Sequence, residues 1–267
     1  MENILKKIID KKKLSILDNK KKFPINYLLE NIKNTDNFIN FTNKLREANS
    51  KKKISIIAEI KKASPSAGLI LKKFNPLDIA TLYIENGASF LSVLTEENFF
   101  LGKLEYIKII KKIHNIPVLC KDFFIDPYQI PLAKSFGADC ILIILSAVDR
   151  ILAKDLYQTA NDLNISTLIE VHSEKEAEFA QSFEKSIIGI NNRNLKTLDI
   201  SLDTSIKLSK LLSSHKNPLV CESGIRSPKD LKYIVEKTKI YNFLIGESLL
   251  TSNNIASKLK EFTEITL

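Results

Sequence analysis

CILIIL, residues 140–145, is apolar at every position, and that decides the fold class. A strand alternates its faces residue by residue, so such a run has to be covered on both sides. It is far too short to cross a bilayer, and burial on both faces marks a parallel sheet lying between layers of helix. Seven more runs share its β-branched, apolar texture: ISIIAEI (54–60), FLSVLT (90–95), IPVLCKD (116–122), STLIEVH (166–172), SIIGINN (186–192), PLVCESG (218–224) and NFLIGES (242–248). Their starts advance from 54 to 242 in seven steps of about 27 residues, the length of one strand and helix with their loops.

Between the runs lie stretches with apolar residues at helical spacing, such as PLDIATLYIENG, LEYIKIIKKI and PKDLKYIVEKT, and NIASKLKEF follows the last run. Eight such units predict an α/β chain folded as a single (βα)8 TIM barrel with an N-terminal helical extension. An open doubly wound sheet for dinucleotides calls for a GxGxxG turn, which is absent from the sequence. Residues 1–50 are expected to form the extension, with short helices over 2–12, near 27–31 and over 36–48, and residues 51–267 the barrel. The eight lysines within 1–22 predict a solvated face, with the Ile and Leu residues turned inward.

The chain has 267 residues, 44% hydrophobic and 27% charged, a balance that excludes a disordered or membrane-embedded class. Its net charge of +9 comes from 36 Lys and only 4 Arg. A polyanion partner is one reading of that surplus and compositional drift is the other; duplex and single-strand binders mix Arg and aromatics into their basic patches, which favours drift. The start, MENILKKIIDKKKL, lacks the apolar core of a secretion signal, so a cytoplasmic location is expected, with no membrane and no nucleic-acid partner. Cys120, Cys140 and Cys221 are odd in number and lie in apolar runs, as buried reduced thiols do, and no metal site is expected.

In a barrel of this kind the chemistry sits at the carboxyl ends of the strands. There the sequence supplies Glu59 and Lys61, Lys121, Glu170, Asn191 and Arg193, Glu222 and Ser223, then Gly246, Glu247 and Ser248. Alternation turns Cys120 and Cys221 outward and Lys121 and Glu222 toward the axis. Charges aimed into a packed interior are costly unless paired, so three carboxylates and three cations converging there predict a site. The glycines and small residues of CESGI and LIGES, where the last two strand-end loops begin, suit a phosphate held by backbone N–H groups.

IIAEIKKASPSAGLI (56–70) is similar to the signature of the indole-3-glycerol-phosphate synthases, and the resemblance continues through SVLTEENFFLG (92–102), VLCKDFFIDPYQI (118–130), LIEVH (168–172), IGINNRNLKTLDISLDT (188–204), CESGIRSPKDL (221–231) and FLIGESLL (243–250). It implies a carboxy-lyase of tryptophan biosynthesis, closing the ring of 1-(2-carboxyphenylamino)-1-deoxy-D-ribulose 5-phosphate to indole-3-glycerol phosphate. By resemblance Lys121 is the acid for ring closure, Lys61 meets the substrate carboxylate and serves the later steps, and Glu170, Glu59 and the lysines share the dehydration. Glu222 orients the lysines and Asn191 holds a substrate hydroxyl. Arg193 and Ser223 contact substrate, Phe100 and Phe123 line the anthranilate pocket, and Ser64, Gly224, Gly246, Glu247 and Ser248 form the phosphate group. The N-terminal helices of the family help cover the barrel mouth. No metal or organic cofactor is implied, and other tryptophan-pathway enzymes are the macromolecular partners to consider. Three alternatives remain at this point: an aldolase forming an imine on Lys61 or Lys121, a phosphoribosylanthranilate isomerase, against which the Glu59/Lys61 pair before SPS speaks, and a basic nucleic-acid-binding protein.

Overall fold

A computed structural model describes residues 4–33, 38–195 and 197–266. Eight parallel strands close into a barrel: β1 (Ser55–Ile60), β2 (Phe90–Leu94), β3 (Val118–Lys121), β4 (Cys140–Ile144), β5 (Ser166–Val171), β6 (Ile187–Asn191), β7 (Leu219–Glu222) and β8 (Asn242–Ile245). β8 returns to β1 with Ala58 opposite Ile245, so the barrel has no open edge. The helices α4 (Pro76–Glu85), α5 (Leu104–Ile113), α6 (Gln129–Ser135), α7 (Arg150–Asp162), α8 (Glu174–Ala180), α9 (Asp203–Leu211) and α10 (Pro228–Thr238) fill the crossovers. α11 (Glu247–Leu250) and α12 (Ile255–Thr263) follow β8, and α1 (Ile4–Lys22), α2 (Ile25–Lys33) and α3 (Phe41–Ser50) precede β1.

Alternation within the strands divides the apolar residues into two cores. Outward residues such as Ala58, Val93, Cys120, Ile169 and Cys221 pack under the helices, while Ile57, Leu119, Leu142, Leu168, Val220 and Leu244 fill the barrel interior. Cys120 and Cys221 therefore face outward as expected, Cys140 faces inward, and all three are free and buried.

The extension departs from expectation in several ways. α1 runs to Lys22 rather than ending near 12, because Ile8, Lys12 and Ile16 continue one buried stripe that the intervening lysines disguise. Its expected start at residue 2, like the expected start of the third helix at 36, lies outside the described residues. α3 begins after the cap Asn40, whose side chain accepts from the N–H of Asn43 at 2.9 Å. α1 contributes Ile4, Leu5 and Ile8 to the wall of the cavity at the strands' carboxyl ends. α3 covers the opposite end: Phe41 and Leu45 join the interior core, and the Phe41 ring lies 4.7 Å from that of Phe90 at the start of β2.

Lys12 is the exception to the solvated lysine face, being only 2% exposed. Its Nζ lies 2.8 Å from both Glu97 Oε2 and Asp122 Oδ1. Burial alone would lower its pKa, but the two carboxylates outweigh that and hold it well above an ordinary lysine. Removing the cation leaves the buried Asp122 unpaired, an error worth about 3–5 kcal/mol where it cannot relax. Undocking of α1 offers that relaxation, so Lys12→Met should speed hydrogen exchange across residues 4–22 while the amides of β3–β7 keep their protection. Unchanged exchange in α1 would show that the ion triad does not hold the helix.

Two further differences concern the site. NFLIGES leaves the strand at Gly246, whose φ of −128° and ψ of −69° cap a one-turn helix, so Glu247 and Ser248 are helical rather than extended. Ala63–Ser64 and Gly68–Leu69 pair as a small antiparallel ribbon that the strand count did not anticipate. Two-residue strands are too short for any periodicity to mark them.

Candidate active site

The axial residues near the carboxyl ends explain why a site forms here. Ile57, Leu119, Leu168 and Val220 give an apolar floor. Two residues further along the same strands stand Glu59, Lys121, Glu170 and Glu222, one from each odd-numbered strand, the way barrel interiors fill layer by layer. A charged layer thus rests on an apolar one, in a low-dielectric setting where each charge acts strongly on its neighbours.

Lys121 Nζ lies 3.0 Å from Glu170 Oε2 and 2.7 Å from Glu222 Oε2. Lys61 Nζ lies 2.6 Å from Glu59 Oε1. Asn191 Nδ2 donates to Glu170 Oε1 at 3.1 Å. Burial would lower the pKa of Lys121, but Glu170, Glu222 and Glu59 together hold it well above the usual lysine range. The two carboxylates sharing this cation are driven apart. Burial would raise Glu170, yet Lys121, His172 and Asn191 hold it well below the carboxylate range. Burial raises Glu222 to about 7, helped by the negative charge of Glu170 and opposed by Lys121. Glu222 Oε1 is buried without a hydrogen-bond partner, as suits a group inclined to carry a proton. Paired groups with separated pKa values are the equipment of acid–base catalysis.

Glycines make room for the layer. A Cβ on Gly189 would stand 2.0 Å from Glu222 Oε1, and one on Gly246 would stand 2.3 Å from Glu59 Oε1.

All fifteen residues singled out from the sequence (Glu59, Lys61, Ser64, Phe100, Lys121, Phe123, Glu170, Asn191, Arg193, Glu222, Ser223, Gly224, Gly246, Glu247 and Ser248) line one cavity of about 570 Å³. Phe100 and Phe123 face each other across it with ring centroids 6.2 Å apart. At the opposite side Ser223 (φ 63°) and Gly224 (φ 85°) take successive left-handed conformations, a strained turn at the rim of the cavity. Beside it, the one-turn helix begins at Gly246, and Arg193 Nη2 pairs with Glu247 Oε2 at 3.0 Å. Ser248 Oγ donates to the carbonyl of Ile225 at 2.8 Å. Ser64, in the ribbon, accepts from the N–H of Ala67 at 3.1 Å.

Three supporting residues escaped the sequence reading. Buried Glu96 accepts from the N–H groups of Asn98, Phe99 and Phe100 at 2.9, 2.7 and 3.0 Å, and so shapes the loop that presents Phe100. Asn192 Nδ2 donates to the carbonyls of Glu222 and Ser223, both at 3.0 Å, holding the left-handed turn. His172 stands behind Glu170. It closes the run STLIEVH one residue beyond the end of β5, and nothing in its spacing marks a role for it.

These features define a (βα)8-barrel enzyme of the lysine–carboxylate type. An imine-forming aldolase needs a neutral lysine; Lys121, clamped between two carboxylates, is held charged. Comparison with known sequences makes the assignment particular. Residues 5–262 match the family description "Indole-3-glycerol phosphate synthase". Proteins of that name from Acinetobacter baylyi and Polaromonas naphthalenivorans are 41% and 40% identical over 248 and 261 residues, covering 92% and 98% of this chain and 90% and 98% of theirs. The chain belongs to the indole-3-glycerol phosphate synthase family. Among solved structures, a tryptophan synthase subunit alpha from Legionella pneumophila aligns with a TM-score of 0.61 at 12% identity over 83% of this chain and 96% of that one, a likeness of fold alone. Among the described residues, no helix is long and apolar enough to cross a membrane.

Proposed function

We propose that the charged layer converts 1-(2-carboxyphenylamino)-1-deoxy-D-ribulose 5-phosphate into indole-3-glycerol phosphate, with Lys121 as the first acid and Glu170 as the base. The observation that carries this reading is Lys121 shared by Glu170 and Glu222 at one side of a cavity whose opposite rim suits an anion. In ring closure the ring carbon bearing the carboxylate attacks the ribulose carbonyl, and Lys121 gives its proton to the oxygen that becomes a hydroxyl. An alkoxide is more basic than even a carboxylate-clamped ammonium, so this transfer runs downhill as the bond forms. The C–CO2 bond then breaks and its electron pair restores the aromatic ring.

In the last step the ring nitrogen gives its proton to Glu170 as the hydroxyl leaves as water with a proton from Lys61, which Glu59 holds in place; one proton of the neighbouring ring methylene then passes to the neutral Lys61, its electron pair forming the new double bond, and Glu170 returns its proton to the nitrogen. Glu222 orients Lys121, and Asn191 serves the substrate hydroxyl as well as Glu170. The aromatic pair Phe100 and Phe123 takes the anthranilate ring. Phosphate lies against Ser64, Ser223, Gly224, Gly246, Ser248 and the main chain of Glu247, with Arg193 at that end, released from the Glu247 carboxylate.

In this reading residues 51–267 are the catalytic unit and 1–50 an extension packed on it. The lysine-rich surface assists capture of a doubly anionic substrate rather than a nucleic acid. The enzyme works in the cytoplasm beside other enzymes of tryptophan biosynthesis.

Incubation with the substrate should yield indole fluorescence and one CO2 per turnover; folded protein that forms no indole product would refute the reading. Arg193→Ala should raise KM about 10- to 100-fold, the worth of one charge-assisted contact, with kcat within a few fold. A change confined to kcat would place Arg193 away from the phosphate.

A further inference from the structure

His172 does not line the cavity. Its ring instead lies between two carboxylates, Nε2 3.1 Å from Glu170 Oε1 and Nδ1 3.3 Å from Glu176 Oε2. Glu176, in the first turn of α8, also accepts the backbone N–H of His172 at 2.7 Å, so a single carboxylate grips both the main chain and the ring. Its own N–H is met by the cap Ser173, which fixes that turn. The ring has little freedom, and its far nitrogen stands 3.1 Å from the proposed base without an aligned hydrogen bond to it.

We propose that His172, held by Glu176, is a positioning residue that fixes Glu170 Oε1 and supplies the positive charge that keeps Glu170 ready to accept a proton. The inference rests on the reading of Glu170 as the base. A carboxylate oxygen 3.1 Å from Nε2 and another 3.3 Å from Nδ1 favour the imidazolium form of the ring, the Nε2 contact being an ion pair rather than an aligned hydrogen bond. Burial would discharge it, but Glu170 and Glu176 raise its pKa to about 9. The groups that face Glu170 are Lys121 from β3, Glu222 from β7, Asn191 from β6 and His172 from its own strand; those that face His172 are Glu170 and Glu176. Lys121 is thus shared with a competing carboxylate, whereas His172 is supported by one. That arrangement explains why Glu170 rather than Glu222 is the member of the pair that stays ionised: among the described residues Glu222 has no second cation, and Glu170 has the imidazolium.

The experiment combines kinetics with NMR. In His172→Gln the amide retains a neutral donor near Nε2 but the charge is gone, so Glu170 takes up a proton more readily. The acid limb of kcat/KM should move to higher pH by about 1–2 units, with kcat on the plateau close to wild type and KM unchanged. Glu176→Gln should move it in the same direction by less. A purely structural role would lower activity equally at every pH and leave the limb where it was, which would overturn the proposal. Independently of turnover, the imidazole signals of the three histidines can be titrated, His172 being assigned by the signal missing from His172→Gln. Its midpoint should lie near 9 and fall in both Glu176→Gln and Glu170→Gln. A midpoint in the ordinary histidine range would overturn the inference even in a fully active enzyme. Should the wild type form no indole product, the functional reading fails while the titration still decides whether the three groups form one charged chain.

Discussion

Lys121→Ala should lower kcat by about 10²–10⁴-fold, the usual worth of a positioned proton donor, with circular dichroism unchanged. The loss has two sources. The carbonyl oxygen loses the acid that protonates it as the ring closes, and Glu170 and Glu222 lose the cation they share at 3.0 and 2.7 Å. Without it two buried carboxylates face each other, and one of them takes up a proton. Lys121→Arg should not restore turnover, because guanidinium keeps its charge but does not give up its proton. Stability carries a second signature. In the wild type, Glu170 is held below its unfolded value, so its contribution is present above the ordinary carboxylate range and lost as pH falls through and below it. In the variant Glu222 is buried with its cation gone, which raises its carboxyl, and that penalty grows as pH rises. The gap in Tm between the two proteins should therefore be widest near pH 8 and narrow on acidification. A variant retaining more than a tenth of wild-type kcat would remove Lys121 from the chemistry.

The alternation rule carried most of what was legible. It needs only the strand's direction and parity, which an apolar run makes plain, and it put Glu59, Lys121, Glu170 and Glu222 on the axis with Cys120 and Cys221 behind them. What parity cannot reveal is pairing across the barrel. The sequence marks Lys121 and Glu222 as inward but not that one lysine serves two glutamates, since that depends on register and on the width of the interior. Lys12 was misjudged for the same reason. Its partners Glu97 and Asp122 are remote in sequence, and an isolated helix gives no sign that one lysine of eight turns inward. The role of α3 was equally hidden, because an amphipathic helix of ten residues can cover either end of a barrel and only Phe41 and Leu45 meeting Phe90 decides which. Scarce glycine proved informative beyond its turns: at residue 189 it marks a place where a side chain from the next strand needs the space.

That space yields the second large effect. Gly189 lies in β6 with a backbone any residue can adopt, so its substitution is a matter of volume rather than of conformation. In Gly189→Ala the new methyl would stand 2.0 Å from Glu222 Oε1 and 2.6 Å from Leu168 Cδ2. Leu168 belongs to the packed floor and has nowhere to go, so Glu222 must swing away, and its carboxylate leaves Lys121. Overpacking of this kind costs about 1–3 kcal/mol. At about 2–4 °C per kcal/mol, Tm should drop by several degrees. Because a misplacement of about 1 Å can cost about 10²-fold in rate, kcat should fall by about that factor although no residue proposed to contact substrate has been altered. Truncating Glu222 separates the two consequences. Glu222→Ala alone loses the orienting carboxylate, and in Gly189→Ala/Glu222→Ala the added methyl no longer meets the carboxylate, while Leu168 gains the space that it vacates. The double variant should then recover Tm relative to Gly189→Ala while its kcat stays as low as that of Glu222→Ala, a strongly non-additive cycle in stability. Additive losses of Tm, or wild-type turnover in Gly189→Ala, would mean that Glu222 is not held against Gly189 and that the charged layer is looser than its hydrogen bonds indicate.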